Sequence, residues 1–553
     1  MAIIEVSYSE LKSLLNLDLS LEDLEKYLLN IKCEIDSVEG DKIKIEVKDF
    51  YRIDLLSITG IVREIKGILN IETGIPKYNV SSSGKKVLVE ETIRNVRPYI
   101  ACAIVEDVKL NENRLLDLIR FQNGIARSFG SRRRKVAIGT HNLDLIEFPV
   151  YYKAVKPEDV KFIPLGENKE MNLNEILERT DAGKEYKSIL EGFEKYPILI
   201  DSNNKVISFP PIINSNDIGK LDEKTKNIFV DVTGTNLDSV LKALTVITLA
   251  LADYGGKIKT VEIVYPDKKI VTPDLRIEEK IFDLNKIIKI LGFSLSKEEI
   301  VDTLKKKRME AEIIENKLKL KYLNYRFDII SEQDIAEEII IAYGLHKIEP
   351  KPVTIYTKGK ISGRRKLINL IRKLMTGLGC IELYTPVLVN SEINKLLSEE
   401  EIILLENPVS LNYNSVRASL LSSIFQTLLE HKEIKLPAKL FEVGRIAFLK
   451  NNTIYEEDRL IYLYSDNKVS FSDALSVLER IFKELGLKYK IEESHYPFLI
   501  DGRQAKIIFE NQIVGWIGEI NPEILERLEI AYPFSGFEIS LSLLKDKIIK
   551  YDF

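Results

Sequence analysis

The sequence predicts a multidomain α+β protein. Three observations lead there. A chain of 553 residues is too long for a single hydrophobic core, and about three or four domains is the expectation for that length. Helix-period and strand-period stretches alternate along its whole length. With 45% hydrophobic and 30% charged residues, its composition is that of a soluble globular chain.

Composition also excludes several function classes. No apolar run is long enough to span a bilayer. The N-terminus, MAIIEVSYSELK, lacks the basic region and long apolar stretch of a secretion signal. Cys33, Cys102 and Cys380 are odd in number and far apart, which argues for a reducing, cytoplasmic setting and against a disulfide framework. With four scattered histidines, no zinc site is expected. The net charge of −5 means that any RNA contact must use local patches. Abundant Ile, Lys and Glu, with only 4 Met, 3 Cys and 1 Trp, is the bias of heat-adapted proteins.

In chain order, residues 1–88 read as an α+β unit. Ser20 and Asp23 box a helix through Leu24, Tyr27 and Leu28. Lys42–Val47 alternates as a strand, and Asp54 is expected to cap an amphipathic helix through Ile61, Val62, Ile65 and Leu69. Ser81–Gly84 reads as a linker. Lys85 and Lys86 follow it, but no glycine stands five positions before Gly84, so a phosphate-binding loop is excluded.

Residues 89–270 read as a mixed α/β domain. Arg127, Arg132, Arg133, Arg134 and Lys135 suit either RNA phosphates or a solvated loop. His141 with Asp144 reads as a structural pair. PILIDSNNKVISF is a hairpin around Asp201–Asn204, and NIFVDVTGTN is a strand that places Asp231 and Thr233 on one face. A helix follows from about Leu237 to Ala252, capped by Asn236 or Thr235. An inward Asp–Thr pair could bind an amino group and a hydroxyl; Thr233 could equally serve only the turn.

Residues 271–350 open with a helix boxed by Ser296 and Glu299, then a strand pair near 311–321. The stretch YLNYRFDIISEQDIAEEIIIAYGLH follows. Ser331 and Asp334 start a helix that stops at Gly344. Asp334, Glu337 and Glu338 share a face at its start, with Asp328 just upstream. Grouped oxygens suit a magnesium ion, and acids at a helix start are also favoured by the dipole alone; the spacing leaves both readings open. Residues 351–553 begin at a Lys351-Pro352 linker. A helix through Leu367, Leu370, Ile371 and Leu374 is broken by Gly377 and Gly379 before an expected strand, Cys380–Val389.

Tyr325-Arg326-Phe327-Asp328, then Asp334-Ile-Ala-Glu337-Glu338-Ile, then Ala342-Tyr-Gly-Leu, resembles the magnesium-binding module of the phenylalanyl-tRNA synthetase β subunit, with Leu323 where the family often has Pro. YRIDLLSITGIVREIKGIL resembles a segment near that subunit's start, with Tyr51 and Ile53 in place of Asn and Pro. Val416–Leu421 and Phe441-Glu442-Val443-Gly444-Arg445 resemble its catalytic-like domain. The resemblance covers nearly the whole chain, in the short archaeal and eukaryotic pattern, without the inserted oligonucleotide-binding barrel or the C-terminal anticodon-binding domain of longer relatives.

The resemblance implies a fold and a function. Residues 89–270 would be an editing domain that hydrolyses tyrosine wrongly attached to phenylalanine tRNA, its pocket lined by Leu199, Ser208, Asp231 and Thr233. Residues 271–350 would be a small winged-helix-like module with Mg2+ on Asp328, Asp334, Glu337 and Glu338. Residues 351–553 would be a degenerate class II synthetase-like antiparallel sheet with helices. A working ATP site of that class needs an Arg-x-Glu pair, but after Phe441 the chain reads Glu-Val-Gly-Arg, and no Gly-x-Gly-x-x-Arg occurs downstream, so the domain is expected to be non-catalytic. Phenylalanine and ATP would be handled by a separate α subunit in an α2β2 tetramer that binds tRNA. The alternatives are a non-catalytic tRNA-binding scaffold, a free-standing deacylase of mischarged tRNA, and a self-sufficient ATP-dependent ligase.

Overall fold

A computed structural model describes residues 2–353, 355, 357–431 and 434–548. The chain is a mixed α/β protein divided into two compact units, Met1–Pro352 and Val353–Phe553.

The first unit begins with a three-stranded antiparallel sheet in the order Ala2–Ser7, Lys42–Val47, Cys33–Glu39. Strand Lys42–Val47 buries Ile43, Ile45 and Val47 on one face, as its alternation predicts. The helix Leu21–Leu29 starts at Ser20, whose hydroxyl accepts from the Asp23 amide at 3.1 Å. Asp54 does not cap the next helix. Ser57 caps Ile58–Ile68, and Asp54 is buried against Arg52, which grips both its oxygens at 2.9 Å. A carboxylate this deep needs a charged partner more than a helix needs a second cap. Gly60 permits the tight entry, since a Cβ there would lie 1.9 Å from the Asp54 carbonyl oxygen.

A ten-stranded sheet forms the body of this unit. Its strands run, in spatial order, Ile213–Asn214, Val206–Phe209, Tyr196–Ile200, Val150–Val155, Val80–Val89, Lys257–Val264, Tyr99–Glu106, Ile228–Gly234 and Val136–Asn142, with Lys269–Thr272 added beside Lys257–Val264. The expected linker at Ser81–Gly84 is therefore strand, paired in parallel with Lys257–Val264. The serines read as a linker because the strand bulges there: its register shifts opposite Thr260–Glu262, and Gly84 takes φ +68°. Helix Leu237–Asp253, capped by Asn236, packs on the two strands Tyr99–Glu106 and Ile228–Gly234.

The unit ends in a three-stranded sheet, Ile277–Asp283, Lys317–Leu323 and Glu310–Ile314, with helices Leu284–Leu291, Lys297–Lys306 and Glu332–Tyr343. Both expected capping boxes form, at Ser296/Glu299 and Ser331/Asp334, and Gly344 ends the last helix at φ +99°.

The second unit is built on a seven-stranded sheet: Ile381–Glu382, Ala438–Lys450, Thr453–Ser465, Phe534–Ser540, Gln512–Ile520, Leu499–Phe509 and Lys490–Glu493. All neighbours are antiparallel except the first pair. The single strand expected over Cys380–Val389 is two. Ile381–Glu382 joins the large sheet, while Leu388–Val389 joins a small one with Ser415–Val416 and Ile403–Leu404. Pro386, which has no N–H to give a ladder, stands between them. Among the described residues no helix is long and apolar enough to cross a membrane.

Candidate functional site

Strand Ile228–Gly234 lies near one end of the large sheet, antiparallel to both Tyr99–Glu106 and Val136–Asn142. Every one of its residues is buried. Asp231 and Thr233 share a face, and with Ser208 they line one cavity of about 400 Å³. Gln122, Arg133 and Phe209 are also in its wall. Leu199 lies directly opposite Ser208 in the strand register and is fully buried. It packs into the apolar cluster with Tyr152 and Phe229 and is not part of the cavity wall. An aliphatic side chain beside those rings gains more from the core than from a polar-lined space.

The polar groups around this cavity are held from behind. His141 Nε2 is 2.5 Å from Asp231 Oδ1, and both residues are buried. Gly139 is the residue opposite Asp231 on the neighbouring strand, where a Cβ would come within 2.4 Å of Oδ1 and 2.7 Å of the His141 ring nitrogen. Only the absence of a side chain leaves room for the pair. Arg97, also buried, donates from Nε to Thr233 Oγ1 at 2.9 Å and from Nη2 to the Thr233 carbonyl at 2.8 Å. Burial pulls the Arg97 guanidinium down to about 10, so it stays charged at neutral pH. Ser208 Oγ and His141 Nδ1 are buried with no hydrogen-bond partner.

His141 thus pairs with Asp231, not with Asp144, which accepts from Asn227. Spacing could not have found this, because 90 residues separate the partners. The basic run also divides. Arg127, Arg132 and Arg134 are exposed. Arg133 stacks over the Tyr186 ring at 4.3 Å and donates to the Pro211 and Ile212 carbonyls at the cavity edge.

The four acids of the 322–346 stretch do not converge. Asp328 is gripped by Arg326 at 2.9 and 2.7 Å. Asp334 Oδ2 accepts from the Ile330 and Ser331 amides as a cap. Glu337 reaches Lys32 at 3.1 Å with half its side chain in solvent. Glu338 is fully buried among Lys32, Lys307 and Arg326, at 3.1, 3.2 and 3.2 Å. Burial pushes the Glu338 carboxyl up, but Arg326, Lys307 and Lys32 more than reverse this and hold it well below the carboxylate range. Among the described residues no three Asp, Glu, His or Cys side chains assemble as a metal site. Glu338, enclosed by the protein's own cations, has no oxygen free to turn to a hard ion, so the four expected acids do not form one ligand set in this structure. Asp328, Asp334 and Glu337 do share a surface cleft, together with Lys32 and Asp49.

In the second unit Arg417 and Glu442, both buried, pair at 2.8 Å, and Thr385 donates to Glu442 at 2.5 Å. Glu538 accepts from the Ser419 hydroxyl at 2.5 Å and from the Leu420 amide at 3.1 Å.

Residues 281–345 match the model of the tRNA synthetase B5 domain, and residues 349–541 that of the phenylalanyl tRNA synthetase beta chain CLM domain. Among similar proteins, the phenylalanine–tRNA ligase beta subunit of Pyrococcus horikoshii is 40% identical over 97% of this chain and 98% of its own. Those of Thermococcus sibiricus and Archaeoglobus fulgidus are 38% and 34% identical, with coverage of 97% and 99% of this chain. The crystal structure of an N-terminal fragment of the Pyrococcus horikoshii subunit superposes with a TM-score of 0.60 at 44% identity, covering 62% of this chain and 99% of the fragment. Identity of this order along the entire length shows that the chain belongs to the phenylalanine–tRNA ligase beta subunit family, a subunit of an aminoacyl-tRNA synthetase.

Proposed function

We propose that this chain edits the product of its synthetase, hydrolysing tyrosine wrongly attached to phenylalanine tRNA, and scaffolds an α2β2 complex. The observation that carries this reading is the cavity itself. Three side chains from two strands, Ser208 from one and Asp231 and Thr233 from the other, bring two hydroxyls and a carboxylate to one cavity. Tyrosine differs from phenylalanine by one hydroxyl. A site built to hydrogen-bond that hydroxyl rejects the analogue lacking it, because its own buried polar groups would go unanswered. His141 Nε2 is engaged by Asp231 and its Nδ1 meets no hydroxyl, so no serine is activated by it. Hydrolysis in this reading uses a water held at the ester.

Phenylalanine and ATP would be handled by the α subunit. The buried pairs Arg417–Glu442 and Ser419–Glu538 support a non-catalytic second unit, since these groups answer one another. Tyr384, Val387, Leu404, Val409 and Leu411 are large apolar side chains left exposed there, which supports a docking face for that partner. We read 1–88, 89–270, 271–350 and 351–553 as the four domains of a cytoplasmic protein, the third winged-helix-like. Magnesium is not part of this reading.

The test is the assembled ligase. Asp231→Ala should leave phenylalanine charging intact and let tyrosyl-tRNA accumulate. Wild-type hydrolysis of tyrosyl-tRNA by that variant would remove the assignment. Exposed Arg127, Arg132 and Arg134 favour a second reading, a tRNA-binding scaffold without hydrolysis. It predicts tRNA binding with no deacylation by the wild type. Deacylation by the chain without its partner would instead mark a free-standing deacylase.

A further inference from the structure

We infer that Arg97 and His141, neither of which lines the cavity, are positioning residues that fix the hydrogen-bonding sense of Thr233 and Asp231, so that the pocket reads a phenolic hydroxyl as donor and acceptor at once. The inference rests on the editing reading above. It follows from who donates to whom. Thr233 Oγ1 accepts from Arg97 Nε, and the same guanidinium holds the Thr233 carbonyl. With its oxygen engaged from behind, the threonine hydroxyl turns its hydrogen elsewhere, and the cavity is the space that it lines. Thr233 is thereby set as a donor.

Asp231 is set the opposite way. His141 Nδ1 is buried without a partner. A hydrogen on that nitrogen would be a buried donor left unanswered, so the hydrogen sits on Nε2 and is donated to Asp231 Oδ1. Oδ2 is the oxygen that remains for a ligand, as an acceptor. A tyrosine hydroxyl placed between them donates to Asp231 and accepts from Thr233. The bare ring edge of phenylalanine does neither and leaves the buried carboxylate facing carbon. Ser208, with its own unpartnered hydroxyl, adds a contact of either sense. Gly139 belongs to this arrangement because it vacates the space in which the His141–Asp231 bond is made.

The experiment measures kcat and KM for hydrolysis of tyrosyl-tRNA and phenylalanyl-tRNA by the assembled ligase, with charging as the control. His141→Leu should lower the tyrosyl-over-phenylalanyl preference about tenfold or more with charging unchanged. His141→Gln, which keeps a donor near the Nε2 position, should recover most of that preference. Unchanged preference in both, in a ligase where Asp231→Ala abolishes hydrolysis, would overturn the positioning role and leave the editing reading standing. Unchanged hydrolysis in Asp231→Ala as well would overturn both. Should His141→Leu fail to fold, Thr233→Val in wild-type and Arg97→Lys backgrounds decides the matter. The two changes should be non-additive on the preference, and additive effects would contradict the inference.

Discussion

The first unit buries charge in two places and handles it in opposite ways. Around Glu338, every carboxylate has a cation. Lys32, Lys307 and Arg326 surround it, Arg52 bridges Asp54 and Glu64, and Lys307 also donates to the Asn30 carbonyl. The residues come from both the N-terminal sheet region and the B5 region, so the network ties the two together. At the sheet cavity Ser208 Oγ and His141 Nδ1 have no hydrogen-bond partner and no ion pair stands in for one, whereas the unbonded atoms of the first cluster, both Glu338 oxygens, Glu64 Oε2 and Arg52 Nη1, belong to ion-paired groups. A cluster whose every carboxylate is ion-paired is a structural lock. Uncharged polar atoms left without partners beside a space of about 400 Å³ are groups that an arriving ligand would answer.

The largest effect should come from breaking the lock. Glu338→Ala leaves the buried Lys307 and Arg326 and the half-buried Lys32 around a vacated carboxylate site, and about 3–5 kcal/mol of stability should be lost in denaturant unfolding. Because the Glu338 carboxyl lies well below its ordinary value of 4.5 in the folded chain, its contribution is present above that value and is lost as the pH falls below it. Chelation of magnesium should leave the wild-type unfolding midpoint where it was; a large drop would restore the metal reading of these acids. Gly139→Ala comes next. The new Cβ would lie 2.4 Å from Asp231 Oδ1, and overpacking of this kind costs about 1–3 kcal/mol. Tyrosyl-tRNA hydrolysis should fall at least tenfold, with charging retained, and an unaffected rate would show that the His141–Asp231 pair has slack. Ser208→Ala should be the mildest. Its hydroxyl has no partner to lose, so stability should change by less than about 1 kcal/mol and hydrolysis by a few-fold.

How much of this could be read in advance depends on the distance over which each feature is encoded. Capping boxes at Ser296/Glu299 and Ser331/Asp334, the hairpin 196–209 and the face shared by Asp231 and Thr233 are local patterns, and the structure has them. Asp54 was expected as a cap because its buried partner Arg52 is indistinguishable from a surface arginine in sequence. The acids at 328–338 have the spacing of a metal site; of the cations that answer them Arg326 stands in the same stretch, but Lys32 and Lys307 lie far from them in sequence or on another helix end. The same holds for His141 and Arg97, which reach their partners across 90 and 136 residues. Strand register, not local spacing, brings those groups together.

The most direct measurement is the hydrolysis of tyrosyl-tRNA by the assembled ligase, wild type against Asp231→Ala, with phenylalanine charging followed in the same preparations. Charging intact in both, with rapid tyrosyl hydrolysis only in the wild type, is the predicted result. Equal tyrosyl hydrolysis in the two, or none in either, would contradict the claim that this cavity is the editing site.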